Sequence, residues 1–195
     1  DSQMLTDRDL ATRVAISGDQ AAFTLLVERH QTPIRNYLRR LMVNDDAGAE
    51  DLAQDTFLAA YQKISTWKNT AKFTTWLHKI AYFKFLDYLR KHKRMLVMPE
   101  VPENPQGIHD TADEEFMARH LMGLLKEEDR AVLTLAYGAG MSHAEISRVV
   151  DKPLGSVKAQ IHRAKLKLNQ WLEDNDHSLQ TETPNQEPKG TNSHA

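Results

Sequence analysis

The sequence predicts an all-α protein with two small helical domains joined by a flexible linker, the C-terminal one carrying a helix-turn-helix. Apolar residues recur at steps of three and four on both sides of the linker, and we find no alternating strand pattern. Pro99, Pro102 and Pro105 fall in a stretch with little periodicity, which is typical of a linker. After the linker, a short helix, a tight turn and a longer basic helix follow one another. The predicted boundaries are 1–94 for the first domain, 95–112 for the linker, 113–173 for the second domain and 174–195 for a polar, disordered tail.

The composition excludes several classes of protein. The chain has 195 residues, of which 41% are hydrophobic, so it can bury real cores. It has no cysteine, which excludes disulfides, thiolate metal sites and cysteine nucleophiles, and we expect neither metal nor cofactor. Because no apolar leader opens the chain and no apolar run approaches the ~20 residues of a membrane span, we expect a cytoplasmic protein without membrane insertion.

Charges are segregated along the chain, although the formal net charge is only -2. Residues 44–62 contain five acids and no lysine or arginine, whereas residues 152–172 contain five bases and no acid. Residues 84–94 contain five bases and one acid. One acidic and two basic patches indicate separate partners for separate surfaces.

The first domain begins with two predicted amphipathic helices. In the first helix, apolar residues recur from Phe23 to Leu41, and Thr32–Pro33 marks a predicted break because proline lacks a backbone N–H. In the second, one apolar stripe runs from Leu52 to Ile64. The opposite face of this second helix carries Asp51, Gln54, Asp55, Leu58 and Gln62. Two interpretations stay open: a solvated face with one exposed leucine, or a docking face for a basic helix.

The stretch KFTTWLHKIAYFKFLDYLRKHKR, residues 72–94, mixes aromatic residues with cations. A buried helix favours the aromatic residues but not the cations, and a solvated helix favours the cations but not the aromatic residues. Core packing is the alternative for several of the aromatic residues, above all Phe83, Phe85 and Tyr88, since a small helical domain needs large side chains.

The second domain contains the helix-turn-helix pattern. Ser142 and Glu145 form a predicted capping box, and the helix should end near Val150 because Asp151 tolerates a left-handed backbone and Pro153 cannot donate a helical hydrogen bond. The next helix is predicted to bury Val157, Ile161, Ala164 and Leu168. Its outward face then carries Ser156, Ala159, His162 and Arg163, flanked by Lys158, Gln160, Lys165 and Lys167. A face of donors fits a DNA major groove, and a solvated basic helix is the alternative.

Three other functional classes explain less of the sequence. An enzyme is the least favoured, because there is no phosphate-binding glycine loop and no HExxH motif. A stand-alone helix-turn-helix regulator leaves the acidic patch and the aromatic-basic stretch unused. A helical interaction protein that binds no DNA leaves the basic face at 152–172 unexplained.

Four ordered segments resemble the extracytoplasmic-function sigma factors of bacterial RNA polymerase. They are AAFTLLVERH, AEDLAQDTFLAAYQ, FTTWLHKIAYFKFLDYLRKHKR and MSHAEISRVVDKPLGSVKAQIHRAKLKL. The chain departs from the family pattern at Ser147, where alanine is usual, and at Asp151, where glycine is usual. Both replacements suit the turn, since serine is nearly as small as alanine and aspartate accepts the glycine conformation.

The resemblance implies a function and a set of partners: a sigma factor that binds core RNA polymerase and promoter DNA, under the control of an anti-sigma factor that is often membrane-tethered. For core polymerase it implies Asp51, Leu52, Gln54, Asp55 and Leu58. For the melted minus-ten element it implies a loop of Trp67, Lys68, Asn69, Thr70, Lys72 and Phe73 and helix contacts from Thr74, Thr75, Trp76, Lys79 and Lys84. For the minus-thirty-five duplex it implies Ser156, Lys158, Ala159, Gln160, His162 and Arg163, with Lys165 and Lys167 on phosphates.

Overall fold

The computed structural model describes residues 5–92 and 111–180, and in these two stretches it contains helices and no strand, so the predicted all-α class is confirmed. The α-helices are α1 (Asp7–Ser17), α2 (Gln20–Leu41), α3 (Asp46–Lys63), α4 (Phe73–His92), α5 (Thr111–Gly123), α6 (Glu127–Tyr137), α7 (His143–Val150) and α8 (Leu154–Gln180). A 3-10 turn, Ile64–Thr66, follows α3. None of the helices in the described part of the chain is long and apolar enough to cross a membrane.

Short polar residues start the helices of the first domain. Thr6 and Asp9 form a capping box at α1, which the sequence analysis missed. The side chains of Asp19 and Asp45 accept hydrogen bonds from the backbone N–H groups of Ala22 and Gly48, at 3.0 and 2.8 Å. Each cap satisfies a donor that would otherwise lack a partner at the start of its helix.

The predicted break at Thr32–Pro33 is wrong, because α2 runs without interruption through Pro33. A proline inside a helix removes one backbone hydrogen bond and costs about 3 kcal/mol. The helix nevertheless buries Leu26, Ile34 and Leu38 on one face, and each such side chain contributes about 1.5 to 3 kcal/mol. Tertiary packing therefore outweighs the local cost of the proline.

The helix-turn-helix forms as the sequence predicts. Ser142 and Glu145 make both hydrogen bonds of the capping box, and Asp151 takes the left-handed conformation with φ 54°. Val157, Ile161 and Ala164 of α8 are buried, and Leu168 packs half-buried against the same core. The hydroxyl of Ser147 donates to the carbonyl of Lys152, so the residue that departs from the family pattern fastens the turn.

The two groups of helices, α1–α4 and α5–α8, pack against each other. The main contacts join α7 to α4 and α6 to α2. Arg119 of α5 also pairs with Asp46 of α3 at 3.4 Å. The buried side chains of both groups belong to one hydrophobic cluster, so the described helices form a single packed body.

The predicted linker and the predicted C-terminal tail lie only partly within the described residues. Residues 93–110, which include most of the predicted linker at 95–112, lie outside the described residues. At the other end, α8 continues past the predicted domain boundary at residue 173 to Gln180. The predicted disordered tail therefore begins with helix, and its remainder, 181–195, lies outside the described residues.

Candidate functional site

The outer face of α3 carries an exposed leucine between exposed polar side chains. Leu58 is 57% exposed, and Asp51, Gln54 and Asp55 are exposed beside it. Leu52, which the family resemblance implied as a polymerase contact, is only 4% exposed and packs in the core. Its assignment to a binding surface is therefore wrong, because the residue belongs to the buried stripe of the helix.

The other acids near α3 are held by partners within the chain. Glu50 accepts a two-pronged hydrogen bond from Arg35 at 2.9 Å, and this bond lowers the pKa of the Glu50 carboxyl. Asp45 caps α3 and accepts from the hydroxyl of Tyr88 at 3.0 Å. Asp51 and Asp55 make no ion pair with another described residue, so they are the carboxylates left for an outside partner.

The connection between the 3-10 turn and α4 exposes some of its predicted contact residues and buries others. Lys68, Asn69 and Thr70 are exposed, and Asn69 has a left-handed backbone with φ 56°. The indole N–H of Trp67 donates to the carbonyl of Ala71 at 3.0 Å, which fixes the ring at the edge of the connection.

Two residues at the start of α4 are wrongly predicted as DNA contacts. Phe73 is the first residue of α4 rather than part of the loop, and it is buried against Trp67, Trp76 and His30. Thr75 is buried as well, whereas its neighbour Thr74 is half-buried. Phe73 packs against a ring of the connection, and neither buried side chain can reach a nucleotide in this conformation.

A shallow groove of about 290 Å³ lies along the outer face of α4. Trp76, Lys79 and Lys84 line it, as the prediction requires of a surface that offers an aromatic ring and cations together. Sequence reasoning missed its other walls, which are Lys63, Ile80, Phe83 and Asp87. Phe83, which the core-packing alternative placed inside, is exposed, whereas Phe85 is buried and Tyr88 is half-buried.

Lys72 bridges to the second group of helices. Its ammonium lies 3.4 Å from a carboxylate oxygen of Glu145, the residue that completes the capping box of α7. A cation predicted to contact DNA is therefore already paired with an acid from the helix-turn-helix.

The outer face of α8 presents most of the predicted donors. Ser156, Lys158, Ala159, His162, Arg163, Lys165 and Lys167 are all exposed. Gln160 is only 6% exposed, and its amide donates to Asp129 of α6 at 2.9 Å. The prediction that Gln160 reads DNA is therefore wrong for this conformation. The ammonium of Lys165 lies over the ring of Tyr137, 4.7 Å from its centre.

A wider groove of about 730 Å³ separates the start of α6 from the first turns of α8. Ser156, Ala159 and Arg163 line one side of it. Lys126, which the sequence analysis did not single out, and Lys152, which belongs to the basic stretch 152–172, add cations. Lys152 pairs with Glu128 at 2.8 Å. Among the described residues no group of His, Asp or Glu side chains is placed to hold a metal ion.

Two family matches and one relative decide the family. The Sigma-70 region 2 family matches residues 26–95, and the Sigma-70 region 4 family matches residues 116–168. The ECF RNA polymerase sigma-E factor of Haemophilus influenzae is 31% identical over 180 residues, which cover 84% of this chain and 94% of the relative. The chain belongs to the ECF sigma factors.

A further relative and two solved structures are also similar to this ECF sigma factor. The ECF RNA polymerase sigma-E factor of Escherichia coli K12 is 29% identical over 84% of this chain and 93% of its own length. The structure of CnrH in complex with the cytosolic domain of CnrY matches with a TM-score of 0.67 and 28% identity, over 86% of this chain and 97% of CnrH. The sigma factor RpoE of Bartonella quintana, solved with the anti-sigma factor NepR, matches in fold with a TM-score of 0.64 and 21% identity, over 77% of this chain and 96% of RpoE.

The family matches settle the general function. An ECF sigma factor acts in transcription initiation, with core RNA polymerase and promoter DNA as its partners. Region 2 covers α3, the 67–72 connection and α4, while region 4 covers the helix-turn-helix. Helix α1 precedes the matched residues.

Proposed function

We propose that this sigma factor docks on core RNA polymerase through the α3 face formed by Asp51, Gln54, Asp55 and Leu58. The observation that carries the proposal is the exposed leucine flanked by two carboxylates that form no ion pair with any residue the structure describes. Carboxylates attract a basic surface during the encounter, and an apolar anchor then holds the complex once water is excluded.

The melted minus-ten strand is proposed to lie along the α4 groove and the exposed part of the connection. Trp76 lines the groove and supplies an aromatic ring for stacking, and Lys79 and Lys84 line the same groove as partners for phosphates. Lys68, Asn69 and Thr70 extend this surface. Lys72 adds a further cation to this surface, next to the carboxylate of Glu145.

The minus-thirty-five element is proposed to be read as duplex by α8. Ser156, Ala159 and Arg163 lie near the start of the helix on an exposed face, the position from which a recognition helix reaches base edges. Lys158, His162 and Lys167 flank them and suit phosphate contacts.

We also propose that an anti-sigma factor controls this protein. The protein is proposed to act in the cytoplasm, together with the transcription machinery. Two structures of similar fold were solved with a partner protein, CnrY in one case and the anti-sigma factor NepR in the other. The faces proposed for polymerase and DNA are the exposed surfaces such an inhibitor would cover.

In vitro transcription tests the proposal. Core polymerase with and without the full chain is supplied with a library of promoter fragments, and the transcripts are sequenced. We expect specific initiation only when both proteins are present. Equal selection of the same fragments by the chain without polymerase would instead indicate a stand-alone helix-turn-helix regulator, because such a protein needs no polymerase to choose its site.

A further inference from the structure

Tyr137 is the last residue of α6, and its side chain lies at the surface rather than in the core. The side chain is 62% exposed, whereas Leu135 on the same helix is fully buried. Backbone hydrogen bonds fix this end of the helix, since the N–H groups of Gly138 and Ala139 both donate to the carbonyl of Thr134, at 2.7 and 3.1 Å. An aromatic ring is therefore held at the surface by a fixed helix end, and it adds little to the core.

The ring of Tyr137 contacts the ammonium of Lys165 on α8. The ammonium lies over the ring, 4.7 Å from its centre, which is within the range of a cation–π interaction. The negative face of the ring attracts the cation and limits the positions that the long lysine side chain can take. Because Tyr137 belongs to α6 and Lys165 to α8, one helix restricts a side chain of the other.

Lys165 continues a row of exposed donors along one flank of α8. Lys158, His162 and Lys165 follow one another at steps of four and three, so they lie on the same side of the helix, and all three are exposed. The row runs beside Ala159 and Arg163, which are proposed to face the bases of the duplex. Because a phosphate backbone follows each edge of the major groove, side chains on the flank of a recognition helix suit phosphate contacts.

The ring holds Lys165 without cancelling its charge. Lys152, just before α8, is held instead by the carboxylate of Glu128, which neutralises the cation that it holds. Lys165 makes no ion pair with another residue in the described stretches of the chain. An aromatic ring has no net charge, so the ammonium of Lys165 keeps its full positive charge for a phosphate.

We propose that Tyr137 is a positioning residue for duplex DNA, whose ring holds the ammonium of Lys165 at the flank of α8 for a phosphate of the minus-thirty-five element. This inference rests on the proposed reading of that element by α8. The gain is entropic, because a lysine side chain loses rotamer freedom when it binds, and a side chain that is already restricted loses less. No residue of α6 was predicted as a DNA contact, so the proposal extends the duplex-binding machinery beyond α7 and α8.

The test measures binding of duplex DNA to the holoenzyme formed by the full chain and core polymerase. The probe is the upstream half of a promoter fragment recovered from the transcription library, labelled with fluorescein and kept double-stranded so that strand opening does not contribute. Binding is followed by anisotropy over a range of salt concentrations. The variants are Tyr137→Leu, Tyr137→Phe, Lys165→Ala, the double variant Tyr137→Leu/Lys165→Ala and Arg163→Ala.

We expect Tyr137→Leu to weaken binding about two- to fivefold, because the loss cannot exceed what an exposed cation–π contact contributes. Tyr137→Phe should bind like the unaltered chain, since phenylalanine keeps the ring face. Lys165→Ala should weaken binding and make the slope of log affinity against log salt shallower by about 0.9, the value for one phosphate contact of duplex DNA. The double variant should bind as Lys165→Ala does, because the ring acts only through the lysine.

Several results would overturn the role of Tyr137. If Tyr137→Leu binds like the unaltered chain while Lys165→Ala binds more weakly, the phosphate contact stands and the ring does not position it. If Tyr137→Leu weakens binding equally with and without Lys165, the ring acts by a route other than the lysine. If Tyr137→Phe binds as weakly as Tyr137→Leu, the hydroxyl rather than the ring matters.

Arg163→Ala separates failure of the inference from failure of the proposed function. If Arg163→Ala weakens binding and Lys165→Ala does not, α8 reads the duplex and the inference about Tyr137 fails by itself. If both variants bind like the unaltered chain, or if the unaltered holoenzyme does not bind the probe, the proposed reading of the duplex by α8 fails and the inference fails with it.

Discussion

The guanidinium of Arg130 on α6 donates a hydrogen bond to the carbonyl of Leu41, the last residue of α2. It also donates to the carbonyls of Met122 and Leu125, at 2.9 and 3.1 Å. Burial lowers the pKa of Arg130 from its usual value, as expected for a cation removed from water. One side chain therefore donates to carbonyls at the end of α2, at the end of α5 and in the connection between α5 and α6, where the two groups of helices meet.

Replacing Arg130 by methionine should destabilise the protein. Three backbone carbonyls would lose a charged donor, and we expect the free energy of unfolding to fall by about 2 to 4 kcal/mol. Urea denaturation measures the change. The matched control is Arg148→Met, which alters an exposed arginine of α7 and should stay within about 0.5 kcal/mol of the unaltered protein. Equal losses in the two variants would show that the hydrogen bonds of Arg130 stabilise the protein no more than an exposed arginine does.

Asp151 should be replaceable by glycine but not by alanine. Its backbone has φ 54°, a conformation that costs a residue with a Cβ about 1 to 2 kcal/mol and costs glycine little. We expect Asp151→Ala to lower the free energy of unfolding by about 1 kcal/mol and Asp151→Gly to leave it unchanged or raise it. Thermal and urea unfolding of the two variants supply the measurement. An alanine variant as stable as the glycine variant would contradict this account of the turn.

His78 should make stability depend on pH below neutrality. The side chain is buried between helices, its Nδ1 donates to the carbonyl of Thr74 at 2.7 Å, and burial lowers its pKa from the usual 6.5. The unfolded chain therefore takes up a proton below pH 6.5 that the folded chain does not, so this residue lowers stability as the pH falls below that value. Its contribution is constant above that range.

The measurement compares the free energy of unfolding at about pH 7.5 and about pH 5.5. The unaltered protein should lose more stability over this interval than His78→Leu, which removes the buried imidazole. His143→Leu serves as the control, because His143 is exposed, and it should behave like the unaltered protein. If His78→Leu shows the same loss as the unaltered protein, the dependence on pH has another origin.

Arg163 and Gln160 should behave differently although both were predicted to read DNA. Arg163→Ala should weaken binding of the holoenzyme to its duplex element by about 1 to 3 kcal/mol if it contacts a base, without loss of stability. Gln160→Ala should instead lower the free energy of unfolding by about 1 kcal/mol, because it leaves Asp129 without its donor. Promoter binding and urea unfolding, measured on both variants, separate the two roles. Loss of DNA affinity without loss of stability in Gln160→Ala would restore its assignment to the interface.

Mutations on the proposed polymerase-docking face should leave the fold of the protein intact but weaken its binding to core polymerase. Asp51→Lys/Asp55→Lys reverses the two exposed charges and should abolish co-purification with core polymerase. The free energy of unfolding should stay within about 0.5 kcal/mol of that of the unaltered protein. The control Glu28→Lys reverses one exposed charge on α2 and should retain binding. Leu58→Ser should weaken binding, whereas Leu172→Ser, which also alters an exposed leucine, should not. Retention of core polymerase by the double lysine variant would refute the assignment.

Local chemistry in the sequence predicted the helix-turn-helix well. The capping box at Ser142 and the left-handed Asp151 depend on residues only a few positions apart, and both are present in the structure. The capping box of α1 carries the same signal, with Thr6 and Asp9 three residues apart, so the start of this helix could have been found in the same way.

The errors concern residues whose environment depends on distant parts of the chain. Gln160 lies at the edge of the buried face of α8, and only the position of Asp129 in α6 decides that its amide turns inward. Phe73 is buried because His30 of α2 packs against it. Leu52 belongs to the apolar stripe of α3, and the family resemblance alone placed it on the binding face. Periodicity gives the direction of a side chain to within part of a turn, and the tertiary partner decides the rest.

The ion pair between Lys72 and Glu145 affects how ionic strength should act on the proposed binding of the single strand. A phosphate that reaches Lys72 replaces one anion by another, since the carboxylate is held there by the start of α7. Added electrolyte weakens the contact that is lost as well as the contact that is gained, and the two sensitivities subtract. If a strand phosphate reaches Lys72 as proposed, binding should therefore depend on salt less steeply than the number of its phosphate contacts alone implies.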